Sequence, residues 1–258
     1  MKIAIISGAS SGLGREFVKQ IRKKEKLDSI WIIARRENRL KKIAEAEEFS
    51  AQIRPLPLDL TDSKSFLFLK TLLEEEKPDV RVLVNAAGFG KMGSYAEISL
   101  QDGCDMIDLN CRALVTMTQI VLPYMKKGAQ ILQICSSSAF QPLPALNIYA
   151  ATKAFVLSYS RALRWELFGR GIHVTAVCPY WIKDTEFISV AKDTAAPQAV
   201  RHFPLASRAS NVAKLALWSS RLNLPVSTPG LICSFQRIAA KIIPREILIA
   251  CWQVLRRL

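Results

Sequence analysis

Acidic residues are scarce in this chain of 258. Asp and Glu number 22 against 36 Lys and Arg, leaving a net charge of +14. That balance excludes an acidic, self-solvating protein. It favours anionic partners such as phosphorylated ligands or acidic lipid surfaces, with a solvated basic surface as the plain alternative. Histidine is also sparse, with two residues, and none of the six cysteines forms a Cys-x-x-Cys pair. No zinc-ligand spacing and no disulfide framework can be read from them, so no metal site is expected. Cys104, Cys111, Cys135, Cys178, Cys233 and Cys251 read as the reduced thiols of a cytoplasmic protein. No basic heptad region or RNA-binding aromatic motif is present, which argues against nucleic acid. No uncharged run reaches the roughly 18 residues of a spanning helix. The apolar run from Ile3 to Ile6 is too short for a signal peptide, so the mature chain is expected to begin here.

What the chain does have is rhythm. Short runs rich in Ile, Val and Leu at 3–7, 29–34, 52–58, 80–85, 129–136 and 173–178 predict strands buried on both faces. Helical patterns at 13–24, 37–48, 63–76, 100–125 and 149–168 fall between them, with Pro78, Pro123 and Pro179 near their ends. The alternation predicts an α/β fold: one Rossmann-type, doubly wound parallel sheet of about seven strands, with helices on both faces. We place this domain at 1–234. An irregular stretch at 183–210 is a candidate lid, and a basic amphipathic helix at 235–258 contains Pro244 as a break or start.

The first strand runs into Ser7-Gly8-Ala9-Ser10-Ser11-Gly12-Leu13-Gly14. Glycines there allow a tight turn and close approach of a ligand, and the following helix start offers free amides to a pyrophosphate. The second strand ends in Arg35 and Arg36, with no carboxylate before Glu37. Two guanidinium groups at this point suit the 2′-phosphate of NADP(H) better than the ribose of NAD(H). After the third strand come Asp59 and Leu60. Asp59 is either an adenine contact or the cap of the next helix.

Tyr149 and Lys153 stand four residues apart on one helical face, and Ser136 precedes the tyrosine by 13 positions. A phenol beside an ammonium has its pKa drawn down from about 10, which makes it a usable general acid or base.

Together these motifs resemble the short-chain dehydrogenase/reductase family over roughly residues 1–234. Ser7 takes the place of threonine in the family's Thr-Gly-x-x-x-Gly-x-Gly turn. Asn85-Ala86-Ala87-Gly88 is similar to its Asn-Asn-Ala-Gly segment, with Ala86 in place of an asparagine. Asn110 falls at the position of the family's catalytic asparagine, and Pro142-x-Pro144 sits as it often does there. Cys178-Pro179-Tyr180 is similar to a Pro-Gly motif, with tyrosine in place of glycine. The resemblance implies hydride transfer between NADP(H) and a carbonyl/alcohol pair. In that reading Tyr149 is the acid, Lys153 holds the nicotinamide ribose, Ser136 orients the carbonyl oxygen, and Asn110 fixes a water that relays protons to Lys153. It further implies cofactor contacts from Pro179, Ile182 and Thr185. The threonine spacing is off by one: Asp184 stands where the family often has threonine. A homodimer or homotetramer joined through the helices at 100–125 and 149–168 is also implied.

Strand alternation would send Ser136 and Ser138 to one side, making Ser138 a substrate contact. Met92 and Tyr180 join it as substrate candidates, with Phe89, Phe140, Leu143, Trp181, Phe187 and Phe203 as further apolar lining. Such a pocket suits a lipophilic ketone of hydroxysteroid or 3-oxoacyl type. The terminal helix is a membrane-surface element, a dimer contact, a lid, or simply a helix docked on its own domain. Two other functions compete with the enzyme: an NADP(H)-binding regulator without turnover, and a membrane-associated scaffold.

Overall fold

The computed structural model describes residues 1–46, 51–196 and 198–256. Seven strands form one parallel sheet in the order β3-β2-β1-β4-β5-β6-β7. They are β1 (Lys2–Ser7), β2 (Ser29–Ile33), β3 (Gln52–Leu56), β4 (Asp79–Asn85), β5 (Gln130–Ile134), β6 (His173–Val177) and β7 (Val226–Ser227). Six coincide with the strands expected from the sequence. β7 has two residues, too few to leave an apolar signature of its own.

Alternation along each strand divides the core in two. Ile3, Ile5, Trp31 and Leu83 face one layer, while Ala4, Ile6, Ile30 and Ile32 face the other. The first layer is closed by α3 (Ser63–Glu76), α5 (Ala113–Val121) and α6 (Asn147–Glu166), through residues such as Leu73, Met117 and Leu163. The second is closed by α1 (Gly12–Lys24), α2 (Glu37–Ala44) and α8 (Ala209–Arg221), through Phe17, Leu40 and Leu217. Each large apolar side chain so buried stabilises the fold by roughly 1.5–3 kcal/mol before entropy is counted.

The long helix expected at 100–125 is interrupted. α4 (Leu100–Ile107) passes through a wide π turn at Asp108–Arg112 before α5, and the chain leaves through a 3₁₀ turn at Leu122–Tyr124, where Pro123 cannot continue the ladder. The irregular stretch contains a short helix, α7 (Phe187–Lys192). The C-terminal segment is two helices, not one: α9 (Leu231–Ile242) and α10 (Arg245–Leu255), with Pro244 at the start of the second. The tail of the helix expected at 37–48, from Glu47, lies outside the described residues, as do Arg257 and Leu258 of the terminal helix. Among the described residues no helix is long and apolar enough to cross a membrane.

β1 lies between β2 and β4, so successive crossovers leave it in opposite directions. The carboxyl ends of β1 and β4 therefore border a crevice, the usual ligand position in a doubly wound sheet. Ser7 ties the two loops there: its Oγ accepts bonds from the amides of Ala86 at 3.1 Å and Ala87 at 3.2 Å.

Candidate active site

A cleft of about 610 Å³ opens at this crevice. Gly8, Ser10, Ser11, Gly12, Leu13 and Gly14 line one end, with Arg35, Arg36, Asp59 and Leu60 beside them. Gly8 adopts φ +66°, and Gly14 lies so close to the returning chain that a Cβ there would come within 2.3 Å of the Gly8 carbonyl oxygen. Gly14→Ala should cost at least about 1–3 kcal/mol as overpacking against backbone, read as a fall in Tm and in soluble yield. An unchanged Tm would show that the turn can relax. The α1 start has no side-chain cap, leaving its amides free for an anion.

Arg36 reaches back over the turn. Its Nη2 donates to Ser11 Oγ at 2.6 Å and to Ser10 Oγ at 3.1 Å. Its Nη1 meets Glu186 at 2.8 Å, and Arg39 meets the same carboxylate at 2.6 Å. Arg39 and Arg36 together hold the Glu186 carboxyl down to about 2. Sequence reasoning missed Glu186 and Arg39, because only the fold brings residue 186 across the cleft to the end of β2. Arg35 makes no ion pair among the described residues; burial pushes the Asp59 carboxyl up, but the Thr61 bonds and the Arg35 charge outweigh it and leave the pKa lowered. Asp59 does not cap α3, since Asp62 does so by accepting the Lys64 amide at 2.9 Å. Asp59 Oδ1 instead accepts from the Thr61 amide and hydroxyl.

At the centre stand Ser136, Tyr149 and Lys153, all lining the cleft. Tyr149 and Lys153 are 6% and 5% exposed. Lys153 Nζ donates to the Ile134 carbonyl at 2.9 Å and sits 5.7 Å from the Tyr149 ring centroid. Burial pushes the Tyr149 phenol above its ordinary value, opposed by a hydrogen bond with Ser136. Burial also lowers the Lys153 ammonium. The expected lowering of the phenol by Lys153 is thus not the dominant effect; burial is.

Asn110, on the π turn, is fully buried. Its Oδ1 accepts from the Phe89 amide at 3.1 Å, while Nδ2 donates to the Phe89 carbonyl at 2.9 Å and to Thr152 Oγ1 at 3.1 Å. The side chain is occupied in pinning the loop after β4, which carries Ala86, Ala87 and Gly88 to the cleft wall. Asn85 is turned away from the cleft, donating to Thr118 and Gln133 in the core.

Strand alternation does not govern the serines. β5 ends at Ile134, and Ser136 begins a 3₁₀ turn at Ser137–Phe140, so Ser136, Ser137 and Ser138 all border the cleft. Ser138 Oγ is buried without a hydrogen-bond partner among the described residues. Pro179, Tyr180, Ile182 and Thr185 line the cleft as well. Asp184 instead accepts the Ala209 amide at 2.8 Å at the start of α8, so Thr185 is the residue of the pair that faces the ligand side. Met92 is completely buried in the packing behind Tyr149 and does not line the cleft. Phe140 and Phe203 do not line it either, Phe203 packing on Trp181 at 4.7 Å. Their place at the wall is taken by Leu146, Val190 and Trp252, whose contributions depend on tertiary packing.

The arrangement offers amides and guanidinium groups suited to an anionic dinucleotide at one end, and hydroxyls suited to a carbonyl at the other. Comparison with known proteins agrees. The family model described as short chain dehydrogenase matches residues 2–195. The chain belongs to the short-chain dehydrogenase family. Sulfoacetaldehyde reductase 2 of Chromohalobacter salexigens is 33% identical over 85% of this chain and 88% of its own length. An NADP-dependent 3-hydroxy acid dehydrogenase of Escherichia coli is 32% identical over 73% of this chain and 75% of its own. Among solved structures, a short-chain dehydrogenase from Sphingobium yanoikuyae in complex with NADPH has a TM-score of 0.79 and 25% identity, covering 97% of this chain and 96% of the other. The protein is an NADP(H)-dependent oxidoreductase. The glycine turn, the uncapped helix start and the two arginines are a donor set that fits this cofactor.

Proposed function

We propose that this short-chain dehydrogenase reduces a ketone on a lipophilic substrate of hydroxysteroid or 3-oxoacyl type, with Tyr149 as the proton donor. The observation that carries the reading is the wall beyond Tyr149, built from Leu143, Leu146, Trp181, Phe187, Val190 and Trp252. Such a surface gains from apolar contact and gives a small polar aldehyde little to bind. The Escherichia coli relative is named for 3-hydroxy acids, which carry the hydroxyl that such a reduction of a 3-oxo group would produce.

The chemistry that the cofactor supplies when bound is hydride transfer to the carbonyl carbon. The protein's own residues handle the oxygen. Ser136 donates a hydrogen bond to it, and Tyr149 gives up its proton as negative charge develops there. Lys153, held by the Ile134 carbonyl, keeps a positive charge beneath the ring. The unpartnered Ser138 hydroxyl is placed to bond a polar group on the substrate. Gly90 permits this geometry: a Cβ there would lie 2.7 Å from Tyr149 Cδ2. The exposed Phe155, Trp165 and Phe168 on or just after α6 support a homodimer or homotetramer through that face.

The test is NADPH oxidation against steroid ketones, 3-oxoacyl thioesters and small polar aldehydes. The lipophilic ketones should win in kcat/KM by at least about tenfold, since two buried methylenes already contribute roughly 1.6 kcal/mol. Turnover confined to small polar aldehydes would sink the substrate reading but not the family.

A further inference from the structure

We infer that α9 and α10 form a docking face for an anionic lipid surface, at the mouth of the substrate end of the cleft. A terminal helix docked on its own domain turns its large apolar residues inward. α9 does the reverse. Leu231, Phe235, Ile238 and Ile242 follow one another at helical spacing along one face, and are 90%, 72%, 58% and 76% exposed. Its buried residues are the small Cys233 and Ala239. α10 continues the pattern with Ile247, Val254 and Leu255, each more than half exposed. An apolar row this exposed along α9, with more exposed apolar residues on α10, marks a place where something else binds.

The charges select the partner. Lys241 and Arg245 are exposed beside the apolar row and make no ion pair among the described residues; Glu246 is the lone acid on the two helices. An apolar face flanked by cations is suited to lie in the headgroup layer of an anionic bilayer. A second copy of this chain fits less well, because burying this face against itself would gather Lys241 and Arg245 of both copies at one interface, with Glu246 the lone acid on the two helices to offset them.

The same helices also build the cleft. Gln236 of α9 and Trp252 of α10 line it, and Trp252 Nε1 donates to the Pro144 carbonyl at 2.9 Å. The helices that carry the exposed apolar row thus also supply part of the cleft wall, which would bring a membrane-dissolved ketone close to the site. This purpose rests on the lipophilic-substrate reading; the docking itself does not.

Co-sedimentation of the full chain with phosphatidylcholine vesicles, with and without phosphatidylglycerol, tests the inference. Binding should require the anionic lipid and fall with added salt. Lys241→Gln with Arg245→Gln should weaken it on the order of 20-fold. Phe235→Ser with Ile242→Ser should weaken it by at least about tenfold. NADPH turnover of a water-soluble ketone should stay unchanged in both variants, showing that they fold. No vesicle binding by the parent chain, or binding that ignores all four substitutions, overturns the proposal. So does a serine variant that turns a dimer into a monomer in light scattering while the parent ignores vesicles, since the face would then join copies of the chain. Vesicle binding without turnover of any lipophilic ketone would leave the docking face standing and remove the substrate reading.

Discussion

Tyr149→Phe should lower NADPH-dependent ketone reduction by about a hundred- to ten-thousand-fold, the usual contribution of a positioned general acid. NADPH affinity should be little changed, because the lost hydroxyl bonds Ser136 while the ring still packs on Phe187 at 5.4 Å. Steady-state oxidation of NADPH and a fluorescence titration of its binding measure the two quantities. Turnover within about tenfold of the parent would reject Tyr149 as the proton donor. The direction of the phenol's pKa gives a second readout. Burial raises it, so Tyr149 is protonated throughout the neutral range. A phenol in that state is ready to give a proton and reluctant to accept one. Reduction should therefore hold its rate across neutral pH, whereas alcohol oxidation should climb only in strongly alkaline solution, above the ordinary phenol value of about 10. The phenylalanine variant should lose the climb along with the activity.

The sheet was legible because its strands are buried on both faces, which leaves unbroken runs of Ile, Val and Leu between helical patterns. The glycine turn was legible for a related reason: only glycine suits a backbone at φ +66° and an approach as close as that of Gly14. What escaped were features set by contacts between distant segments. The π turn at Asn110 leaves the apolar periodicity of 100–125 nearly intact, so one long helix was the natural expectation. Met92 has the composition of a pocket residue, yet packing buries it behind Tyr149. Trp252 lies in a tail that the sequence separates from the site, and only tertiary packing brings its indole to Pro144. The serines misled through period: alternation holds along a strand, and the strand stops at Ile134 before the first of them.

Replacing Arg35 and Arg36 together by alanine should weaken NADPH binding by roughly 100-fold and leave NADH nearly untouched, since each charge-assisted bond to a phosphate contributes roughly 1.5–3 kcal/mol. The structure adds a competitor to this simple picture. Glu186 already occupies Arg36 and Arg39, and the two guanidinium groups hold its pKa near 2. The sign follows from that depression. The ion pair contributes fully above the ordinary value of 4.5 and is lost only as pH falls through about 2. At any working pH a 2′-phosphate therefore meets arginines that are partly neutralised. All three side chains are 44–46% exposed, so the pairing itself is weak and exchangeable. Glu186→Gln should then tighten NADPH several-fold, by about the worth of a solvent-exposed ion pair, with no gain for NADH, which brings no second phosphate to the arginines. Measured side by side, the arginine and glutamate variants should move NADPH affinity in opposite directions. If neither moves it, the 2′-phosphate is held elsewhere, and the two arginines at the end of β2 are surface charge only.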